Sequence, residues 1–220
     1  MMGLARPFMA ATPEIGFWKL CGSGTGEGFT PVPNTAVYAI LATWPDATSA
    51  RLNTERAQVF RWYRRQAVEA WTVFLCPVSV RGAWSGVAPF QAEENKTAAG
   101  AKRLGGAVAA LTRATVRPRK ALRFWRRVPD ISDVIGDDPN VAFKIGIGEV
   151  PLLHQVTFSI WPDTQSMARF ARHDGPHARA IQAVRSDDWF REELYARFQV
   201  VGDRGTWEGK RPLERLEHAL

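Results

Sequence analysis

Four histidines, two cysteines and one run of glycines are the residues of this chain best suited to chemistry, and their neighbours tell them apart. His177 follows Pro176 at a helix start. Ile181 and Val184 lie one and two turns further on, so the three share a face, while Arg179, Gln182 and Arg185 take the other. An imidazole aimed inward beside an aliphatic wall is one way to present an axial ligand to haem iron. It is also how a buried histidine sits in an ordinary core. His154 opens a strand pattern and reads as a hydrogen-bonded core residue. His173 precedes Asp174-Gly175, a turn signal, and His218 lies in a polar tail. No further ligands stand at the close spacing of a zinc site. Cys76-Pro77 offers a thiolate ligand, yet Cys21 and Cys76 both fall in apolar strand patterns, where a buried inert thiol is the usual outcome. The run Gly22-Ser23-Gly24-Thr25-Gly26-Glu27-Gly28 lacks the spacing of a phosphate loop, and Pro31 and Pro33 follow it instead of a helix start. It reads as a flexible connection between two strands.

A second candidate is a basic segment. Arg113, Arg117, Arg119, Lys120, Arg123, Arg126 and Arg127 surround Leu122, Phe124 and Trp125. On a helix, Arg119, Arg123, Arg126 and Arg127 share one face, with Ala121, Leu122, Trp125 and Val128 largely on others. Such a helix can rest on anionic lipid, grip nucleic-acid phosphates, or simply be solvated. The net charge of +7 over 220 residues favours an anionic partner without choosing one. No recognisable nucleic-acid-binding fold accompanies the segment, so no nucleic-acid partner is expected. No apolar run approaches the roughly 20 residues of a membrane helix, and the start is too short and proline-broken for a signal peptide. A cytoplasmic location with peripheral contact to an anionic membrane surface is therefore expected.

The elements that must position these residues occur twice. Trp44-Pro45-Asp46 recurs as Trp161-Pro162-Asp163, each closing a strand-like run. Phe17-Trp18-Lys19-Leu20 is echoed by Ala142-Phe143-Lys144-Ile145, and Arg81-Gly82-Ala83-Trp84-Ser85-Gly86 by Arg204-Gly205-Thr206-Trp207-Glu208-Gly209. The second copy holds a short insertion in the stretch carrying His173 and His177. Its elements read as a strand at 108–116, a helix from Arg119 to about Val128, strands at 141–147 and 154–160, a helix capped by Asp163 or Thr164, a helical piece from Pro176 and a strand at 194–201. That order is ferredoxin-like. In the first half, 17–20, a strand to Thr43, a helix near 54–70 and a strand at 71–80 have counterparts, but the opening strand and most of the first helix do not. The expected fold is α+β: two ferredoxin-like β-α-β-β-α-β repeats in an α+β barrel, the first lacking its N-terminal strand and most of its first helix. The lobes span 1–90 and 107–213, with a linker at 91–106 and a tail at 214–220. A missing strand leaves an edge exposed or covered, for example in a homo-oligomer.

The stretch from Gly16 to Phe29, followed by Asn34-Thr35-Ala36-Val37-Tyr38, resembles the spheroidene monooxygenase (acyclic carotenoid 2-ketolase) family. So do the segment from His154 to Asp163, Gly175-Pro176-His177-Ala178 and the segment from Trp189 to Phe198. The resemblance implies a haem-dependent monooxygenase that introduces a keto group at C2 of acyclic carotenoids such as spheroidene, with haem b as cofactor and a ferredoxin as electron donor. It favours His177 as the axial ligand to the haem iron. Ile181 and Phe158 then line the cofactor, Phe158 or Phe143 faces the substrate, and Arg113, Lys144 and His154 are candidate distal groups. Two readings compete: another haem enzyme on the same barrel, peroxidase- or dehydratase-like, and a non-catalytic haem- or lipid-binding module.

Overall fold

A computed structural model describes residues 2–92, 106–126, 140–172 and 188–217. Seven antiparallel strands form one α+β half-barrel sheet in the order β2-β1-β5-β6-β4-β7-β3. They are β1 (Trp18–Gly24), β2 (Pro33–Ala42), β3 (Trp71–Gly82), β4 (Val108–Val116), β5 (Phe143–Gly148), β6 (His154–Trp161) and β7 (Phe190–Gly205). The helices are α1 (Met2–Ala10), α2 (Ala47–Arg56), α3 (Gln58–Gln66), α4 (residues 121–126, entered through a 3₁₀ turn at Pro118–Lys120), α5 (Thr164–Arg172) and α6 (Glu214–Glu217). β2 and β3 are the sheet's edges. Their inward residues Val37, Ala39, Leu41, Val73 and Leu75 are only half-buried, whereas β4 and β6 in the middle are largely buried.

The doubled sequence motifs build the same local structures. Asp46 ends the first Trp-Pro-Asp and caps α2, its Oδ1 accepting from the backbone N–H of Ser49 at 2.8 Å. Asp163 does the same for Ser166 at 2.6 Å, and each serine hydroxyl also reaches its aspartate. These are N-caps, in which a short acidic side chain satisfies helix donors that have no partner within the helix. The Trp84 and Trp207 motifs each close a tight turn, Trp84 pairing with Val87 and Trp207 with Lys210. Both turns hold their next two residues at positive φ (Ser85 and Gly86; Glu208 and Gly209). A carboxylate then accepts from those two N–H groups: Glu192 in the first turn and Glu69 in the second.

One face of the sheet, the inner one, carries the main core, including Leu111, Ile145, Ile147, Val156, Phe158, Ile160, Leu194, Ala196 and Phe198. The other face is covered by helices. Ala5 and Met9 of α1 pack with Val59 of α3 over Trp18, Leu20 and Ile40, and Phe170 of α5 stacks on Trp161 at 5.0 Å.

Several expectations need correction. The helix expected near 54–70 starts at Ala47 and is two helices, broken at Ala57, whose backbone is extended (φ −62°, ψ 141°). The strand expected at 194–201 runs from Phe190 to Gly205, because its charged N-terminal residues are paired inside the fold. β5 begins at Phe143 rather than 141. The glycine run is not a loose connection either: Gly22, Ser23 and Gly24 continue β1, and the turn beyond is pressed onto β5. There Gly146 N–H donates to the Glu27 carbonyl at 2.8 Å, and a Cβ at Gly28 (φ +89°) would sit 1.7 Å from the Gly146 oxygen. Only glycine allows that approach. The helical piece from Pro176, the 91–106 linker's central part and the end of the 119–128 helix lie outside the described residues.

Candidate active site

Charged side chains occupy inward positions that strand alternation would assign to apolar residues, and three of them lie together: Lys19 on β1, Arg113 on β4 and Glu192 on β7. Glu149, just past β5, and His154, the first residue of β6, complete the cluster. Register explains the convergence. Arg113 lies opposite Val156 and Leu194, Thr115 opposite His154 and Glu192, and Gly22 of β1 opposite Gly148. A cavity of about 410 Å³ is lined here by Ser85, Gly86, Arg113, Thr115, His154, Arg191 and Glu192.

Arg113 is 1% exposed. Its guanidinium pairs with Glu192, approaches Glu149 at 3.9 Å and lies 5.7 Å from the ring of fully buried Trp84. Its Nε is buried with no hydrogen-bond partner among the described residues. Glu149 accepts from the Trp84 indole N–H at 2.6 Å and from Lys19 at 2.9 Å. Lys19 also donates to Ser85 Oγ at 2.7 Å. Such charge-assisted contacts are the strong kind of hydrogen bond. Burial alone would raise the Glu149 carboxyl, but the hydrogen bonds from Lys19 and Trp84, with the charges of Lys19 and His154, hold it below its ordinary value. Glu192 is likewise kept low against the effect of burial, by the Gly86 and Ser85 N–H groups and by Arg113. Burial pushes His154 down, further than the opposing pull of Glu149 raises it, and Arg113 adds to the fall. The imidazole is therefore neutral near pH 7. Its Nδ1 lies 3.5 Å from Glu149, too long for a good hydrogen bond, and we read the contact as electrostatic. The result is a neutral imidazole, a buried guanidinium and a threonine hydroxyl around one polar pocket.

Of the expected distal groups, Arg113 and His154 meet here. Lys144 does not: it points to the opposite face of β5 and pairs with Glu27 at 2.7 Å. Arg113 leaves the basic segment for the interior, and Arg117 is taken by Asp188 at 2.9 Å. Phe158 is on the inner face, 6.4 Å from Phe143, which stacks on Trp71 and Trp207. His177 and Ile181, with His173 and His218, lie outside the described residues. Cys21 is fully buried, and burial followed by the Glu149 charge pushes its thiol up to about 12, an inert thiol as expected. Among the described residues no group of three His, Cys, Asp or Glu side chains could hold a metal. In the sequence, Lys19 and Trp84 stand out only as parts of the repeated motifs, and neither Glu149 nor Glu192 stands out as a site residue. The available signal was the charge at inward positions of otherwise apolar strands.

No protein-family model matches the chain. Three curated relatives, each a spheroidene monooxygenase, do. The Rhodobacter capsulatus protein is 50% identical over 212 residues, covering 96% of this chain and 86% of the relative. The Cereibacter sphaeroides protein is 52% identical over 202 residues, 91% of this chain and 60% of the relative. The Rubrivivax gelatinosus protein is 34% identical over 217 residues, 96% and 80%. Among solved structures, a putative monooxygenase from Fusobacterium nucleatum aligns over 94% of this chain and 86% of its own at 12% identity, with a TM-score of 0.44. One from Lactobacillus acidophilus aligns over 92% and 86% at 11% identity, with a TM-score of 0.41.

Proposed function

The chain belongs to the spheroidene monooxygenase family of oxygen-dependent oxidoreductases, and from that premise we propose that it is a haem-dependent monooxygenase placing a C2 keto group on acyclic carotenoids such as spheroidene. The observation that carries the reading within this molecule is the polar pocket, open to solvent and floored by the buried Arg113, at the rim of a largely apolar inner face. Leu111, Phe158 and Ile160 suit a polyene, while Arg113, Thr115 and His154 suit the oxygens added to its end. The doubled caps and turns, together with the order β5-β6-β4-β7, support a finer reading of the half-barrel as two ferredoxin-like repeats, with lobes at 1–90 and 107–213.

The donor chemistry of the described residues fits haem at one point. Burial keeps His154 neutral, the form in which an imidazole binds a metal, with the Glu149 carboxylate 3.5 Å from its Nδ1. His177 remains the proposed axial ligand, with Ile181 beside it. Haem b, when bound, supplies dioxygen activation with electrons from a ferredoxin. The protein's own part is to exclude water and hold the reacting end. Two oxygen insertions at one carbon give a geminal diol. Loss of water from it leaves the ketone, with Arg113 donating to the oxygens and neutral His154 accepting a hydroxyl proton. A carotenoid resides in lipid, so we place the protein in peripheral contact with an anionic membrane.

The test is an absorption spectrum of protein produced with ample haem, wild type beside His177→Ala and His154→Ala, followed by product analysis with spheroidene, reductant and oxygen. A Soret band lost in His177→Ala, and a ketone product absorbing at longer wavelength, supports the proposal. A band lost only in His154→Ala moves the ligand to the pocket. Haem binding without conversion of spheroidene leaves a haem- or lipid-binding module and removes the enzymatic reading.

A further inference from the structure

The turn between β5 and β6 has two opposite sides. Its ends, Glu149 and His154, belong to the half-buried inner polar cluster. Between them Val150 and Leu152 stand out, 41% and 46% exposed. The turn is tightly made: Leu153 and His154 N–H both donate to the Val150 carbonyl, and Val116 N–H donates to that of Leu153 at 2.8 Å. Leu152 is held at φ +67°, a conformation unfavourable for a branched apolar residue. The turn therefore presents a leucine to solvent at some conformational cost.

α4 lies directly against it. The Trp125 indole N–H donates to the Leu152 carbonyl at 2.9 Å. Phe124 is the buried side chain of this helix, packed with Val116, Trp189 and Phe190. That sets the opposite face outward, and it carries Leu122, 68% exposed, among exposed Arg119, Arg123 and Arg126. Arg123 also leans over the Trp189 ring at 5.9 Å. Sequence periodicity places Leu122 largely on another face than the arginines, but Leu122 and Arg126 are one helical turn apart and so stand side by side. Three exposed aliphatic side chains, one half-buried tryptophan and three arginines thus share one surface; among the described residues, Asp188 beside it pairs with Arg117.

We propose that the 149–153 turn and α4 form the face by which the protein docks on an anionic phospholipid bilayer. Leu122, Val150 and Leu152 enter the acyl boundary and Trp125 sits at the interface. Arg119, Arg123 and Arg126 meet the headgroup phosphates. This deepens the proposed membrane contact and rests on it. It also fixes geometry, because the pocket begins at His154, the residue that follows the 149–153 turn. A lipid-borne polyene then has a short route from bilayer to pocket. Nucleic acid would satisfy the arginines alone and leave the aliphatic tip unexplained.

The experiment is co-sedimentation with vesicles of one-third phosphatidylglycerol in phosphatidylcholine and with phosphatidylcholine alone, plus duplex DNA as a competitor. Wild type is compared with a Leu122→Gln/Leu152→Asn variant. Glutamine is as good a helix former as leucine, and asparagine tolerates positive φ, so the fold is retained; a thermal melt checks this. We expect wild type to prefer the anionic vesicles about tenfold, and the variant to bind them about tenfold more weakly. Wild type remaining in the supernatant, binding both vesicles equally, being displaced by DNA, or being matched by the folded variant would overturn the proposal. Ketone formation from detergent-dispersed carotenoid separates the two readings. It fails in wild type if the carotenoid reading is wrong, and proceeds equally in wild type and variant if only the docking face is wrong.

Discussion

Replacing Glu149 by glutamine tests whether the inner polar cluster is held together as described. The carboxylate takes the Trp84 indole at 2.6 Å and Lys19 at 2.9 Å, with His154 at 3.5 Å and Arg113 at 3.9 Å. A glutamine oxygen can keep the Trp84 bond. It cannot balance Lys19 and Arg113, whose side chains are 17% and 2% exposed. A hydrogen bond to a charged partner contributes about 1.5–3 kcal/mol net, and the partly hydrated Lys19 pulls its share to the lower end. We therefore expect a loss of about 2–3 kcal/mol, a fall in Tm of about 4–12 °C for a chain of this size. Urea unfolding of wild type, Glu149→Gln, Lys19→Met and the double variant gives the coupling directly, expected at about 1–2 kcal/mol. A single-variant loss below about 0.5 kcal/mol, or a coupling of zero, would show that these charges are neighbours without being partners.

Gly28→Ala should be severe, about 3 kcal/mol or more, because it combines a positive φ with a Cβ driven into the Gly146 carbonyl; a denaturant titration measures it. His154 has a lowered pKa when folded, so its neutral form favours the folded state. Stability present above its ordinary value of 6.5 should fall as pH drops through the lower folded value, and His154→Gln should abolish that limb of the stability profile while sparing the acid limb of Glu149 and Glu192. Asp46→Ala and Asp163→Ala should each speed amide hydrogen exchange at Ser49 and Ser166 respectively and leave the other helix unaffected.

The repeat made much of the fold legible, because its motifs are local structures with fixed chemistry. Trp-Pro-Asp is a strand exit and helix cap wherever it occurs, and β4, β6 and α5 follow the residues assigned to them. What pattern could not give was long-range. Ala57 interrupts a helix without any breaker residue. The pressure of Gly28 on β5 joins positions more than a hundred residues apart. The site was half legible: Arg113 and His154 were singled out as residue types. Their meeting, and the parts of Lys19, Glu149 and Glu192, depend on register across β1, β5, β6, β4 and β7. Lys144 shows the converse, since one step along a strand sends a side chain to the opposite face.

The two carboxylate-capped turns give the molecule an internal reference. Glu69 and Glu192 each hold a tight turn through the same pair of backbone donors. Glu69 adds only the Thr206 hydroxyl, whereas Glu192 also faces the buried Arg113. One turn is thus held by a carboxylate with neutral partners, the other by a carboxylate that also meets a buried cation. Whatever substituting Glu192 disturbs beyond the same change at Glu69 measures what that extra charge contributes, within one polypeptide and under one set of conditions.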